Sequence, residues 1–338
     1  MPIDYRSDTV TLPARAMLHA MQNAPLGDDV FEEDPSVNKL EQFAAAIFGM
    51  EAAIFCPSGT MTNQIAIKCH TQPGDEVICD ESSHIYQYEG GGIAFNSGCS
   101  VKLIHGDRGR IRAAQVLEVI QPDDVHRPVS RLVSLENTSN RGGGSCYNMG
   151  EMQAIGKICK EKGLSFHLDG ARLFNAIVAN SEKPETYGQL FDSISVCLSK
   201  GLGAPVGSVL IGKKDFIRKA RRVRKVFGGG MRQAGMLAAA GLYALENNVD
   251  RLSEDHIKAK SIASALSAKE IVEEVLPVET NIIIFRLKAG QSAAAFVQSL
   301  KEKGILSYAI ASDKVRLVVH LDISEAMVSE TIKIIESI

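Results

Sequence analysis

The sequence lacks the cysteine pattern of a disulfide-bonded or zinc-binding protein. Its seven cysteines are scattered along 338 residues, and none of them form a CxxC pair. An odd, dispersed set of this kind indicates small buried thiols in a reducing compartment. The first ten residues, MPIDYRSDTV, contain no apolar signal-peptide core, and no apolar run approaches membrane-spanning length. We therefore expect a cytoplasmic protein that does not enter the membrane and has no metal site.

The sequence also lacks a strong excess of charge of either sign. It carries 37 basic and 40 acidic residues, a formal net charge of −3. Such a balance gives no general attraction to nucleic acids or to anionic membranes. Hydrophobic residues make up 45% of the chain and charged residues 23%, as in ordinary globular proteins. A chain of this length can form a large domain with a smaller one attached.

Short apolar runs alternate with amphipathic, helix-like stretches between residues 50 and 212. This alternation predicts βαβ crossovers and an α/β fold, in which a mostly parallel sheet has helices on both faces. Ligands of such sheets bind at the C-terminal ends of the strands. The predicted strands are Ala52–Cys56, Glu76–Cys79, Val101–Ile104, Arg131–Leu135, Leu164–Leu168, Ser193–Leu198 and Ser208–Ile211.

A helical region follows at residues 213–266, with a break at NNVD (247–250), and a second, smaller α/β pattern follows it. Strands are predicted there at Ile282–Leu287 and Val315–His320, with helices near 292–303 and 324–338. We therefore divide the chain into a large domain, residues 1–248, which includes the N-terminal segment, and a small C-terminal α/β domain, residues 249–338.

Small hydroxylated residues follow the first predicted strand of the sheet. The sequence PSGTMTN places Ser58, Gly59 and Thr60 at the start of a helix. Backbone N–H groups at a helix start, together with the two hydroxyl groups, suit a phosphate. A simple helix cap at Ser58 or Thr60 explains the same residues. On this motif alone, the cap is the better explanation.

Charged side chains follow two other predicted strands. Lys200 comes directly after the apolar run Ser195–Leu198, and Asp169 ends the run Leu164–Leu168, with Arg172 three residues further on. A charge at the end of an apolar strand is costly unless it has a partner. An ion pair between Asp169 and Arg172 is one explanation of these residues, and a bound ligand is the other.

Taken together, these residues and His84 predict a site for pyridoxal 5'-phosphate (PLP). The Ser58–Thr60 loop would hold the phosphate, and Asp169 would keep the pyridine nitrogen protonated, since an opposite charge favours the charged form. Desolvation favours the neutral, nucleophilic amine of Lys200, which would bind the cofactor as a Schiff base. The glycines after Lys200 would let the backbone approach the cofactor closely.

With these residues in place, the chain resembles fold-type-I PLP enzymes, and more closely the L-threonine aldolase (β-eliminating lyase) family. No single motif decides this, but nine occur in order along nearly the whole chain. They are RSDTVTLP (6–13), GDDVFEEDPSVNKLE (27–41), CPSGTMTNQIA (56–66), SHIYQYEGG (83–91), SLENTSN (134–140), HLDGARLFNA (167–176), CLSKGLGAPVGSVL (197–210), GGGMRQAGMLAAAG (228–241) and VRLVVHLD (315–322).

The resemblance implies a role for each of several residues in the cleavage of β-hydroxy-α-amino acids, such as L-threonine or L-allo-threonine, to glycine and an aldehyde. Lys200 would carry the cofactor, His84 would stack over its ring, and His84 or His126 would act as general base. Arg172 would contact both cofactor and substrate, and Ser7 and Arg316 would complete the carboxylate clamp. The remaining implied residues are Tyr88 and His126 around the β-hydroxyl, and Lys225 and Arg232, which would reach a neighbouring subunit's site in a homotetramer with active sites at the dimer interface.

One motif departs from the family pattern. Members commonly read ENTHN, whereas this chain reads ENTSN, with Ser139 at the histidine position. That histidine would lie near the cofactor in the family, so the change bears on activity and on stereochemical preference. Because His126 is still available, we do not expect the change to inactivate the protein.

Two other functions fit parts of the sequence. A PLP-dependent β-eliminating lyase or an aminotransferase acting on another amino acid would share the fold and the pair Lys200 and Asp169. Alternatively, the basic segment KKDFIRKARRVRK (213–225) resembles a nucleic-acid-binding helix, although no nucleic-acid-binding motif accompanies it. We expect a basic solvated helix face there, and a small-molecule substrate.

Overall fold

The computed structural model describes residues 2–338 and contains three β-sheets. The strands are β1 (Ile3–Asp4), β2 (Ala52–Cys56), β3 (Asp75–Asp80), β4 (Ser100–Ile104), β5 (Val129–Glu136), β6 (Ser165–Gly170), β7 (Ser193–Cys197), β8 (Ser208–Gly212), β9 (Val272–Val275), β10 (Ile282–Leu287), β11 (Ile305–Leu306), β12 (Tyr308–Ala309) and β13 (Lys314–Val318). The sequence predicted the seven strands of the largest sheet to within two residues at each end.

Helices connect most of these strands. They are α1 (Arg15–Gln22), α2 (Pro35–Ile47), α3 (Gly59–His70), α4 (His84–Gln87), α5 (Gly92–Ser97), α6 (Ala113–Val119), α7 (Met149–Lys162), α8 (Leu173–Asn180), α9 (Pro184–Leu190), α10 (Lys214–Val226), α11 (Gly235–Asn247), α12 (Leu252–Ser267), α13 (Ala293–Glu302) and α14 (Glu325–Glu336), with short 3-10 turns at Asp8–Val10 and Asp29–Phe31. The predicted break at 247–250 is confirmed, because α11 ends there and α12 begins just after it.

The large sheet is mostly parallel and has the strand order β2-β8-β7-β6-β5-β3-β4. Only β8 runs against its neighbours β2 and β7. Every residue of β3, β7 and β8 is buried, as expected for strands covered on both faces. The C-terminal ends of β2, β3, β5, β6 and β7 therefore meet at one edge of the sheet, where the ligand site was predicted.

The C-terminal part of the chain forms a second hydrophobic core around the antiparallel sheet β12-β13-β10-β9. This core extends from Ala259 to Ile335 and also contains Tyr5 from the N-terminus. Strand β1 pairs with β11, so the first residues pack with the C-terminal part of the chain. The proposed domain limits, 1–248 and 249–338, stay predictions.

Two further expectations can be compared with the structure. All seven cysteines are buried and free, as their scattered positions indicated. Within residues 2–338, no helix is both long enough and apolar enough to cross a membrane.

Candidate active site

A small cavity of about 130 Å³ lies at the C-terminal edge of the large sheet. It brings together five of the residues predicted for the site, from segments that lie far apart in the sequence. The residues that line it are Ser7, Thr9, His84, Glu136, Asn140, Ala171, Arg172, Lys200 and Arg316. The N-terminal turn, four strand ends and a strand of the C-terminal core all contribute to the cavity.

Lys200 enters the cavity from the connection between β7 and β8. Two glycines of this connection adopt backbone conformations that favour glycine. Gly203 and Gly207 have φ angles of +80° and +108°, a conformation that glycine adopts without strain. A Cβ atom on Gly207 would lie 2.5 Å from the Phe55 ring. These glycines therefore allow the chain to reverse direction between antiparallel strands, and a close approach of this backbone to the cofactor stays a prediction.

Asp169 lies at the end of β6 and is almost completely buried. Its Oδ1 accepts a hydrogen bond from Ala171 N at 3.2 Å, but its Oδ2 has no hydrogen-bond partner within residues 2–338. Burial raises the pKa of this carboxyl, and the positive charges of His84 and Lys200 oppose the increase. A buried carboxylate oxygen without a partner needs a donor or a cation, and a protonated ring nitrogen would supply both.

Arg172 does not pair with Asp169, which rules out the simple ion pair considered from the sequence. Its Nε and one terminal nitrogen instead donate to the two oxygens of Asp8, each at 2.7 Å. Both side chains are buried. Burial opposes the ionisation of Asp8, but the guanidinium outweighs it and lowers the pKa of Asp8 to about 2. The remaining terminal nitrogen of Arg172 is left for a ligand.

Arg316 is a partly buried cation that lacks an acidic partner. One terminal nitrogen donates to Asn140 Oδ1 at 2.9 Å and the other to the Arg6 carbonyl at 3.1 Å, while its Nε has no partner. No carboxylate within residues 2–338 lies within 4.0 Å of it. Burial and the Arg172 guanidinium lower its pKa to about 10, so it is still charged at neutral pH. An anionic ligand would stabilise it.

His84 lines the cavity from the start of α4. Its backbone N–H donates to Glu136 at 2.7 Å, and its Nδ1 lies 3.1 Å from Glu89 Oε1. The Tyr88 ring is 5.7 Å from the imidazole and half-exposed, and the Arg141 Nε donates to its hydroxyl. Tyr88 thus lies beside His84 but does not itself line the cavity.

The Ser58–Thr60 segment forms the N-terminus of α3. Ser58 Oγ caps the helix by accepting a hydrogen bond from Met61 N at 3.2 Å, so the cap expected from the sequence is present. The first N–H groups of a helix lack partners within that helix, so a phosphate is also compatible with this end. Next to Gly59 lies Ser208 Oγ, which is buried and unpaired. Thr62 links the same turn to Ser195 on β7 by a hydrogen bond of 2.6 Å.

Three predicted residues do not reach this cavity within one chain. His126 is exposed in the loop before β5, hydrogen-bonded to Asp124, at the opposite edge of the sheet. The eight residues of β5 separate it from the cavity by about 23 Å. Lys225 and Arg232 are exposed on either side of the glycine loop that follows α10. Their predicted roles therefore require a second copy of the chain, as the resemblance implied for Lys225 and Arg232.

Ser139, which replaces the histidine of the family pattern, points away from the cavity. Its Oγ accepts a hydrogen bond from Gly142 N at 3.2 Å and packs against Gly109. The next residue, Asn140, lines the cavity instead. The Ser139 side chain itself therefore contributes no group to the cavity, and the effect of the change on activity stays a prediction.

The sequence analysis did not identify several residues of the site. Glu136, next to Asp169 in the register of β5 and β6, accepts the backbone N–H groups of His84 and Asn140. Burial and the charge of Asp169 raise the pKa of Glu136 to about 7. Its position at the end of a predicted strand was an available signal. Asp8 gave no such signal, because its partner lies 164 residues away in the chain.

One group of side chains also has the spacing of metal ligands. Atoms of His84, Glu89 and Asp169 lie within 4.8 Å of one another. The Glu89 oxygens, however, already accept hydrogen bonds from Asn63, Gln64 and His84. A metal ion would have to displace these donors, so this arrangement favours an organic cofactor over a cation.

Some of the cations of helix α10 have partners within the chain. Arg224 forms a buried ion pair with Asp29 at 2.9 Å, and Arg221 pairs with Glu41. Lys219 donates to the Cys69 carbonyl. Lys214, Arg222 and Lys225 are exposed and form no ion pair within residues 2–338, as expected for a solvated basic face.

The fold and the lysine-containing cavity place the chain among the fold-type-I, aspartate-aminotransferase-like enzymes. The chain belongs to the β-eliminating lyase family, whose model matches residues 4–289. The low-specificity L-threonine aldolase of Escherichia coli O157:H7 is 44% identical over 329 residues, covering 97% of this chain and 96% of that protein.

Solved structures agree with this fold. The Leishmania major threonine aldolase has a TM-score of 0.87 at 21% identity, covering 99% of both chains. SPT with a PLP internal aldimine has a TM-score of 0.78 at 16% identity, covering 99% of this chain and 87% of that one. At these identities, the similarity describes the fold alone.

Proposed function

We propose that this lyase uses PLP to cleave L-threonine and L-allo-threonine into glycine and acetaldehyde. One observation carries the proposal: the unpaired, buried Asp169 Oδ2 lies beside a cavity that also contains a lysine amine. The Asp169 carboxylate suits the ring nitrogen of a pyridoxal ring, and the Lys200 amine suits its aldehyde. The 44% identity to a low-specificity L-threonine aldolase over nearly the whole chain supports the same substrate class.

The residues present fit PLP in chemistry as well as in position. Lys200 supplies the amine that binds the cofactor covalently, and Asp169 holds the ring nitrogen in its protonated form. His84 would pack against the ring, and the α3 N-terminus with Ser58, Gly59 and Thr60 would bind the phosphate. When bound, the cofactor supplies an electron sink for the pair released by bond cleavage.

The guanidinium groups of the cavity orient the substrate. The carboxylate binds to Arg316, which has no acidic partner of its own, and to the free terminal nitrogen of Arg172. The Ser7 hydroxyl, at the edge of the same cavity, completes the clamp. Donors from two guanidinium groups hold the carboxylate at two points, and this fixes the direction of the Cα–Cβ bond.

The β-hydroxyl group requires a proton acceptor. His84 accepts this proton from within the chain, or His126 accepts it from a second copy. We infer a homotetramer in which a neighbour also supplies Lys225 and Arg232 near the phosphate. The exposure of all three side chains is compatible with this assembly. The cytoplasmic location also stays a prediction.

The test is a product analysis with L-threonine and L-allo-threonine side by side. We expect equal amounts of glycine and acetaldehyde from the purified protein, and neither product from Lys200→Ala. A variant of an exposed lysine on α10, Lys214→Ala, is the matched control and should keep full activity. Formation of a keto acid instead would contradict the aldolase and favour an aminotransferase.

A further inference from the structure

Glu89 is a buried carboxylate that lies behind His84, outside the cavity. Its Oε1 accepts hydrogen bonds from Asn63 Nδ2 at 2.9 Å and from His84 Nδ1 at 3.1 Å, and its Oε2 accepts one from Gln64 Nε2 at 2.7 Å. The side chain of Glu89 is fully buried. Three donors therefore surround one carboxylate, whose two oxygens accept all three hydrogen bonds.

The two amide donors are themselves fixed in orientation. Asn63 Oδ1 can only accept, so His167 Nε2, 3.2 Å away, donates to it. Burial lowers the pKa of His167 to about 3, so this ring is neutral and its Nδ1 is free to accept from Ser193 at 2.8 Å. Asn63 therefore presents its NH₂ group to Glu89. Similarly, Gln64 Oε1 accepts from Asn96 at 3.1 Å, which directs the Gln64 NH₂ group to Glu89.

This arrangement determines where the protons of His84 lie. An ionised carboxylate only accepts, so Nδ1 of His84 carries a hydrogen at every pH at which Glu89 is charged. The Nε2 atom makes no hydrogen bond within residues 2–338 and is left for a ligand in the cavity. The backbone N–H of His84 is held by Glu136, so the residue is fixed at two points.

Charges from three other elements also face His84. Asp169 at the end of β6 and Glu136 at the end of β5 are acidic, and Lys200 after β7 is basic. Burial alone would lower the pKa of His84, but the hydrogen bond to Glu89 and the charge of Asp169 outweigh burial and raise it. The hydrogen bond from Nδ1 to Glu89 and the charge of Asp169 thus both favour the protonated imidazole of His84.

We propose that Glu89 is a positioning residue for the reaction, which directs His84 Nε2 to the β-hydroxyl group and stabilises the imidazolium that forms there. This inference rests on the proposed aldol cleavage. In the step itself, the O–H bond breaks and its proton goes to Nε2. The electron pair of that O–H bond forms the aldehyde C=O bond while the Cα–Cβ bond breaks, and the bound cofactor would supply the electron sink for the pair of the Cα–Cβ bond. The substrate loses one proton from its hydroxyl group and gains one at Cα when glycine forms, so the protons balance over the whole reaction.

Two variants remove the charge next to His84. In Glu89→Gln, the new NH₂ group would face the NH₂ group of Gln64. Two donors would then oppose each other, so this variant could also destabilise the folded protein. The double variant Gln64→Glu with Glu89→Gln avoids that clash and keeps every hydrogen bond. The new amide at position 89 would donate to the new carboxylate at position 64, and Asn96 would still donate to that carboxylate. In the double variant, the negative charge lies at position 64, and the neutral amide at position 89 contacts the imidazole of His84.

The matched control uses a similar pair on the surface. His105 Nδ1 lies 2.6 Å from Glu81 Oε1, and both side chains are exposed. Glu81→Gln therefore makes the same chemical change beside a histidine that is not in the site. Hydrogen–deuterium exchange at the imidazole Cε1 of His84 and His105, followed by mass spectrometry across a pH series, reports the protonation of each ring without reference to activity.

We expect the pH midpoint of exchange at His84 to move to lower pH in both Glu89 variants, and to stay unchanged in Glu81→Gln. The acid limb of kcat/KM for L-threonine should move in the same direction. The ratio of kcat/KM at about pH 5.5 to that at about pH 8 should then rise roughly tenfold, the factor that corresponds to one pH unit.

An unchanged midpoint at His84 in the double variant would overturn the proposal, as would a loss of activity that is equal at every pH. A wild-type protein that releases no acetaldehyde would contradict the proposed function instead. In that case the exchange profile would still decide whether Glu89 controls the protonation of His84.

Discussion

Replacement of Asp8 by asparagine is the sharpest test of how the site is held together. Asp8 forms two hydrogen bonds of 2.7 Å with Arg172, and Asn281 Nδ2 lies 3.4 Å from the same carboxylate. Both charged side chains are almost completely buried. Asp8→Asn keeps the shape of the side chain but leaves the Arg172 guanidinium buried without a counter-charge.

The magnitude can be estimated in two ways. Removal of one partner from a buried ion pair destabilises a protein by about 3–5 kcal/mol. The lowering of the Asp8 pKa from its usual value to about 2 corresponds to roughly 2 kcal/mol of stability. For a chain of 338 residues, with an unfolding entropy of about 2.1 cal/mol/K per residue, the two estimates predict a decrease in the midpoint of thermal unfolding of roughly 3–7 °C.

The pH dependence has a definite sign. Because folding lowers the pKa of Asp8, its contribution to stability is fully present above the ordinary pKa of an aspartate and is lost as the pH falls toward about 2. The difference in thermal midpoint between wild type and Asp8→Asn should therefore be largest near neutral pH. It should shrink steadily as the pH decreases below about 4.

Thermal unfolding across a pH series measures this difference, with Asp4→Asn as control. Asp4 pairs with Arg6 in the same N-terminal segment, but both side chains are partly exposed. Solvent screens such a pair, so its loss should move the midpoint far less. An Asp8→Asn protein as stable as wild type at neutral pH would refute this account of the buried pair.

Three further outcomes follow from the site and its supporting turn. Arg316→Ala should lower kcat/KM by roughly ten- to a hundredfold, because a charge-assisted hydrogen bond contributes about 1.5–3 kcal/mol; an unchanged kcat/KM would remove Arg316 from the carboxylate clamp. Lys200→Ala should lose the cofactor absorbance band together with turnover, and a band that persists in the purified variant would show that another residue binds the cofactor. Gly207→Ala should lower the unfolding midpoint more than Gly228→Ala, because both have positive φ angles but only Gly207 has Phe55 within 4 Å of a new Cβ; equal effects would contradict this steric explanation.

The alternation of strands and helices was sufficient to predict the large sheet and the edge where the site lies. Apolar runs of four to eight residues marked its strands, and the residues after them, such as Lys200 and His84, line the cavity. Asp169 was found because a charge at the end of a buried strand is unusual. Short edge strands such as β11 and β12 carry too few residues for any periodicity to appear.

The partners of the predicted residues could not be found in this way. Asp8 and Arg172 are 164 residues apart, and Asn140 and Arg316 are 176 residues apart. Their contacts depend on how the N-terminal turn and the C-terminal core pack on the large sheet, which no local pattern records. His126 illustrates the opposite case, since its sequence context suggested a site residue although a single chain leaves it exposed.

Chemical reduction of the purified protein with borohydride, followed by peptide mass spectrometry, tests the central claim most directly. We expect a pyridoxyl-phosphate group on the side chain of Lys200, which lines the cavity at the C-terminal edge of the large sheet. A modified peptide from another part of the chain, or none at all, would contradict it.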